Sequence, residues 1–332
     1  MTTVTDTFRS DFNAGSEVGI PVGDFLWRDA AGDNVVWLMN NNTPATGGVS
    51  ALPSVTPDWH LKAAANFDAG FGPNVDADIL WQNDNGALAL WQMNGTTITA
   101  IHALPNPGPS WHVVGDNDFD HDVADDILFQ NDNGALAIWT GISAATGGVS
   151  GEFASVLNPG PTWHVVGTGD TNLDGKAGIL WQNDNGALVL WEDFIPLQFS
   201  QSLFFFNTEA ALPAVDPSWH VKGMADVSGD GRSDIVFQND NGAVAVWEMG
   251  GSTPIRVNLI NLNPGPAWHV VGMREMNETL GDARVDILFQ NDNGAAAMWE
   301  GYRLLGVGSV TYDTVLAITP NPNPNGHVWD LL

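Results

Sequence analysis

The chain has 332 residues and carries 39 Asp plus Glu against 10 Lys plus Arg, a formal net charge of −29. Nucleic-acid grip and docking on an anionic membrane both need a basic face, so neither partner is expected. Without a single Cys there is no disulfide, thiolate zinc site or cysteine nucleophile, and no apolar run reaches the length of a membrane span. The opening residues, MTTVTDTFRS, lack the basic start and apolar stretch of a secretory signal. The expected location is therefore the cytoplasm or, by a leaderless route, the outside.

Taken in chain order, the elements repeat. A worn first copy runs from Asp24 to Gly32, with Trp27 ten residues before Trp37. The string Gln-Asn-Asp-Asn-Gly then begins at Gln82, Gln130, Gln182, Gln238 and Gln290, at intervals of 48 to 56 residues. An aromatic residue precedes each copy (Trp81, Phe129, Trp181, Phe237, Phe289), and ten residues after it comes Trp91, Trp139, Trp191, Trp247 or Trp299. Short apolar runs flank Asn-Gly, a strong hairpin signal, and the spacing predicts a two-residue turn at Asn85-Gly86. A Trp-His pair, at Trp59, Trp111, Trp163, Trp219 and Trp268, lies 18 to 22 residues upstream of each aromatic, and runs such as Thr97 to Leu104 supply a fourth strand.

Four short strands per repeat, with no helical periodicity, predict an all-β fold. The expectation is a six-bladed β-propeller of four-stranded antiparallel blades, one domain over residues 1–332. Its blades fall near 11–55 plus 327–332, 56–107, 108–160, 161–216, 217–265 and 266–320. His327-Val-Trp329-Asp-Leu-Leu332 stands in for the missing sixth Trp-His element. The C-terminal strand should thus join the N-terminal blade and close the ring, removing open sheet edges.

Antiparallel strand order places the Asn-Asp-Asn-Gly turns and the Trp-His elements on one face of the ring, and the Asp-rich loops on the other. A two-residue turn sets Gln82 and Asp84 opposite Ala89 and Ala87, a carboxylate and an amide beside two small residues. Sugars offer adjacent hydroxyls to such groups and an apolar C–H face to an indole. Up to five similar carbohydrate sites are expected: Trp59, His60, Gln82, Asp84 and Asn85; Trp111, His112, Gln130, Asp132 and Asn133; Trp163, His164, Gln182, Asp184 and Asn185; Trp219, His220, Gln238, Asp240 and Asn241; Trp268, His269, Gln290, Asp292 and Asn293. The first blade, with Arg28, Asp29 and Asp33, should bind poorly. Asn-Asp-Asn-Gly also makes a good turn with no ligand at all, since its side chains cap their own backbone.

The loops on the opposite face carry aspartates at the spacing a hard cation needs. Asp226, Ser228, Asp230 and Asp234, with Gly231, fit the pattern D-x-D-x-D-G-x-x-D best. Asp118, Asp120, Asp122 and Asp126 match in charge but have Val123 at the glycine position, and Asp170, Asn172 and Asp174 end at Gly178. The loops at 11–24, 66–78 and 275–286 are worn. No cofactor is required: the spacing admits calcium, and turns closed by Asp side chains are the default reading.

The segments Asp226-Val-Ser-Gly-Asp230-Gly-Arg-Ser-Asp234-Ile-Val-Phe and Asp170-Thr-Asn-Leu-Asp174-Gly-Lys-Ala-Gly-Ile-Leu resemble FG-GAP or VCBS-type repeats. That resemblance implies an integrin-like propeller, similar to several bacterial and fungal lectins, with calcium in the aspartate loops. Repetition favours a multivalent, non-enzymatic lectin, because an enzyme needs one asymmetric constellation while a binder gains avidity from copies. Galactose-, fucose- or methylated-polyol-like mono- or oligosaccharides suit the residues equally. The alternatives are an integrin-like protein-adhesion propeller and a glycoside-processing enzyme. Phe194, Phe199 and Leu203-Phe-Phe-Phe206 break the repeat and predict an apolar patch, hence a homodimer through residues 191–216.

Overall fold

A computed structural model describes residues 23–40, 43–67, 76–143, 148–155, 158–196, 203–274, 285–306, 309–318 and 329–331. They form six four-stranded antiparallel blades in a ring. Blade 1 is Phe25–Asp29, Asn34–Asn40 and Thr43–Leu52, with Trp329–Leu331 as its innermost strand. Blade 2 is Trp59–Ala65, Asp78–Asn83, Leu88–Asn94 and Thr97–Leu104; blade 3 is Trp111–Asn117, Asp126–Asn131, Leu136–Ser143 and Gly148–Ser155. Blade 4 is Trp163–Gly169, Gly178–Asn183, Leu188–Pro196 and Leu203–Leu212; blade 5 is Trp219–Ala225, Asp234–Asn239, Val244–Met249 and Pro254–Ile260. Blade 6 is Trp268–Arg274, Asp286–Asn291, Ala296–Gly306 and Ser309–Ala317. The ring closes as the sequence predicts, with Trp27 opposite Leu331 and Asp29 opposite Trp329.

The ten-residue step has a direct cause. Trp81 pairs with Ala89 and Ile79 with Trp91, so Trp81 and Trp91 are diagonal neighbours on one face of the hairpin. Their ring centroids are 5.2 Å apart, and the equivalent aromatic pairs of the other blades lie 4.4 to 5.2 Å apart. This aromatic face packs on the aliphatic face of the preceding blade: Ile79, Trp81 and Trp91 on Leu26, Val36 and Leu52, and Ile127, Phe129 and Trp139 on Leu80, Leu88 and Leu90. Each blade thus buries the next one's indoles, which is why Trp is so frequent.

The turn differs from the two-residue expectation. Asn83 N–H donates to Ala87 O and Gly86 N–H to Asn83 O, enclosing a three-residue loop, Asp84-Asn85-Gly86, with only Gly86 at positive φ. Asn83 Oδ1 accepts from Asn85 N–H and Asn85 Oδ1 from Ala87 N–H, so the side chains select this loop. One extra loop residue moves the third strand by one place and turns its side chains over. Gln82 therefore lies opposite Leu88 rather than Ala89, and Ala89 joins the tryptophan face.

Three phenylalanines of the Phe-rich segment are internal. Phe194, Phe204 and Phe206 are buried against Phe119 and Ile138 of blade 3, and the long outer hairpin of blade 4 pairs in parallel with the outer strand of blade 3. Phe205 is half-buried and Ile195 exposed, while Phe199 lies outside the described residues.

On the face opposite the turns, three loops share one conformation. Asp118, Asp170 and Asp226 each accept three backbone N–H bonds from their own loop. Positive φ falls three and five residues on: His121 and Val123, Leu173 and Gly175, Gly229 and Gly231. Val123 at φ 80° is strained, since a β-branched residue there meets its own backbone, and its side chain is exposed. Val123→Gly is expected to raise stability by about 1 kcal/mol, the relieved strain exceeding glycine's entropic cost. Equilibrium denaturation checks it; an unchanged or lower midpoint would refute it.

Candidate functional site

On the turn face, each of the five copies brings its His and Asp together. His60 Nε2 lies 2.7 Å from Asp84 Oδ1, and His112–Asp132, His164–Asp184, His220–Asp240 and His269–Asp292 repeat this at 2.7 to 2.8 Å. All ten side chains are exposed. The other expected members of each set are placed elsewhere.

The glutamines are clamps between blades. Gln82 Nε2 donates to Trp111 O at 2.8 Å while Gln82 Oε1 accepts from Val113 N–H at 3.0 Å. Gln130 binds Trp163 O and Val165 N–H in the same way, and Gln238 binds Trp268 O and Val270 N–H. With both ends of the amide committed, Gln82, Gln130 and Gln238 are not free to read a ligand. Gln182 and Gln290 occupy the same register position, opposite Leu188 and Ala296. In blade 1 Arg28 takes the clamp role, donating to Trp59 O at 2.5 Å with its guanidinium over the Trp81 ring. Asn85, Asn133, Asn185, Asn241 and Asn293 each accept a hydrogen bond from the backbone within their own turn. Sequence reasoning missed the asparagine before the turn: Asn83 Nδ2 donates to Asp58, and Asn131, Asn183 and Asn239 donate to the hydroxyls of Ser110, Thr162 and Ser218.

Strand alternation separates each Trp from the His beside it. Trp59, Trp111, Trp163, Trp219 and Trp268 are half-buried and pack into the groove toward the preceding blade. The His, opposite the clamp Gln, points toward the following one. A groove between two blades thus carries the His–Asp pair of one and the indole of the next, rather than one blade's complete set.

Between blades 3 and 4 such a groove opens into a cavity of about 260 Å³ lined by Asn158, Pro159, Trp163, Trp181, Val189, Trp191 and Glu209. Of the residues expected in blade 4, Trp163 lines it; His164, Gln182, Asp184 and Asn185 do not. Trp181 is buried and its Nε1–H has no protein acceptor. The three-residue turn could have revealed this groove in the sequence, because it sets position 189, Ala in the other copies, between the two indoles.

On the opposite face the ranking of the aspartate loops reverses. Asp226 Oδ1 and Oδ2, Asp230 Oδ1 and both oxygens of Asp234 face backbone N–H groups, and Ser228 N–H is one of the donors to Asp234. In the loop with Val123 backbone N–H groups likewise reach Asp118 and one oxygen of Asp126, but carboxylate oxygens of Asp118, Asp120 and Asp126 also gather within 4.8 Å of one another, while Asp122 Oδ1 accepts from Ala124 N–H. Asp120 Oδ1 and Asp126 Oδ1 are buried without a partner. Burial, reinforced by Asp120, pushes the Asp126 carboxyl up to about 9; burial pushes Asp234 up to about 7. An oxygen-only donor set with orphaned buried oxygens and clustered negative charge fits a hard divalent cation.

Fold and surface together define a six-bladed propeller with repeated indole-lined grooves between its blades. No protein-family model matches the chain, and no curated protein is similar to it in sequence. Among solved structures, it is similar to Raptor from Chaetomium thermophilum, with a TM-score of 0.50 and 10% identity over 95% of this chain and 25% of that one. A mitotic checkpoint complex structure is similar at a TM-score of 0.41 and 12% identity, over 88% of this chain and 78% of the other. The chain thus spans a quarter of the length of the Raptor chain, and the likeness is one of fold alone.

Proposed function

We propose that the protein is a non-enzymatic, multivalent carbohydrate-binding propeller of the FG-GAP/VCBS type, with sugar sites in the grooves between blades. The observation that carries this reading is the cavity walled by Trp163, Trp181 and Trp191, with Asn158 and Glu209 as its polar groups. An apolar aromatic floor with a few placed polar groups suits a pyranose ring, whose C–H face stacks while its hydroxyls bond. Trp59, Trp81, Ala89 and Trp91 repeat the wall in blade 2, and the same positions recur around the ring. Calcium belongs to this reading as a structural ligand of Asp118, Asp120 and Asp126 on the far face.

Titration of the intrinsic tryptophan fluorescence against galactose, fucose and inositol-type polyols tests the reading. A selective, saturable change is expected. Trp163→Ala should weaken the tightest site by about 30-fold, the cost of removing a buried aromatic anchor. A flat panel would sink the lectin reading. Val49, Ile101, Val257 and Val315, all exposed on outer strands, favour protein adhesion as the second reading. Under that reading Trp163→Ala leaves binding intact while Val257→Asp removes it.

A further inference from the structure

We propose that the groove between blades 3 and 4 takes a sugar bearing a protonated amine. The proposal rests on the carbohydrate reading and narrows it at this one site.

The lining carries a carboxylate at a position where four of the six blades have an aliphatic residue. Trp191 pairs across the hairpin with Glu209 of the outer strand. At the same register position, opposite the equivalent Trp, blades 1, 2, 5 and 6 carry Val49, Ile101, Val257 and Val315, each more than half exposed. Blade 3 has Glu152 there. An exposed carboxylate beside an indole adds nothing to packing between blades, so the fold itself does not explain Glu209. Among the described residues no Lys or Arg forms an ion pair with it; the two such pairs are Arg232–Asp230 and Arg256–Glu248. Glu209 is therefore open to a cation from outside.

The rest of the cavity selects the kind of cation. Trp181 and Trp191 meet edge to face, with centroids 5.0 Å apart and an angle of 60°, so they form a continuous wall. Trp163 adds a third indole. Aromatic faces attract both the C–H side of a pyranose and an ammonium group. Asn158 supplies a hydrogen-bonding group for hydroxyls. A small inorganic cation would leave the indoles unused, and a neutral sugar would leave the carboxylate unused. A hexosamine uses both. The net charge of −29 acts in the same direction, raising the local concentration of cationic sugars and disfavouring anionic ones.

The test is calorimetric titration of the full chain with glucosamine, glucose and N-acetylglucosamine at pH 6.5 in low salt. Wild type, Glu209→Gln and Trp163→Ala are compared. Glucosamine is expected to bind up to about 5-fold more tightly than glucose in wild type, the upper range for an exposed ion pair. Glu209→Gln, or 0.5 M NaCl, should abolish that preference without changing glucose binding. Trp163→Ala should weaken all three sugars. Equal binding of the three by wild type, or a preference that survives Glu209→Gln, would overturn the amino-sugar proposal and leave the carbohydrate reading in place. Binding of none at tens of millimolar would overturn both.

Discussion

Gly86→Ala is expected to destabilise the protein by at least 3 kcal/mol, while Gly108→Ala costs about 1–2 kcal/mol. Both glycines have left-handed backbones, with φ of +88° and +95°. An alanine pays the same conformational penalty at either. The surroundings differ: a Cβ at Gly86 would stand 2.3 Å from Gly108 C and 2.4 Å from Gly108 O, whereas one at Gly108 meets nothing within 4 Å. The turn of blade 2 is stacked backbone to backbone on the linker that leads into blade 3. Gly134 on Gly160 and Gly242 on Gly265 repeat the contact. The difference between the two variants isolates the steric part from the backbone part. Chemical denaturation of each measures it, and equal losses would show that the linker yields.

The same stacking shows how far the sequence could be read. Six copies of a ten-residue aromatic step gave the blade number, because a short hairpin is what brings two residues ten apart onto one face as a diagonal pair. Ring closure by the tail was legible for the same reason: one Trp-containing strand was missing at the start and present at the end. Register was not legible. Asn-Gly serves both two- and three-residue loops, and what decides between them is Asn83 and Asn85 capping their own turn, which no pairwise turn preference contains. That single residue moved the alanines from the Gln–Asp side to the indole side and dissolved the expected pocket. Gln82 looked like a ligand because a polar residue in an apolar strand is unusual; its partner, the Trp111 backbone, is invisible until the blades are assembled. The loop ranking reversed because the pattern records carboxylates but not what they face. Backbone N–H groups take Asp226 and Asp118 alike, and it is the loop fitting the pattern less well that leaves buried oxygens of Asp120 and Asp126 without a partner.

Stability should fall as pH rises from 5 to 8 in the absence of calcium, by roughly 2 kcal/mol or more. Asp234 is wholly buried and held up to about 7, chiefly by burial, against hydrogen bonds from Met249 and Ser228 that pull it down. Asp126, also wholly buried, is held at about 9 by burial and then by Asp120. In the unfolded chain both ionise near pH 4. Between that pH and the raised values the folded state keeps protons that the unfolded state has released, so each added pH unit favours unfolding. Asp234 acts up to about pH 7 and Asp126 up to about pH 9. A cation held by Asp118, Asp120 and Asp126 would replace the proton on Asp126 with a better partner, and it binds only the folded arrangement. Millimolar calcium at pH 7.5 is therefore expected to raise the melting temperature by several degrees, since ligand at a hundred times its dissociation constant adds about 2.7 kcal/mol. At pH 5 protons compete and the gain shrinks. Asp126→Asn should remove the calcium response, flatten the slope above pH 7 and about halve it below, while Asp234→Asn about halves the slope below pH 7 only and leaves the calcium response intact. Scanning calorimetry of the three proteins with calcium or EDTA separates the two effects. A wild-type slope that rises with pH would refute the buried-carboxylate account, and a calcium response surviving Asp126→Asn would move the cation to another loop.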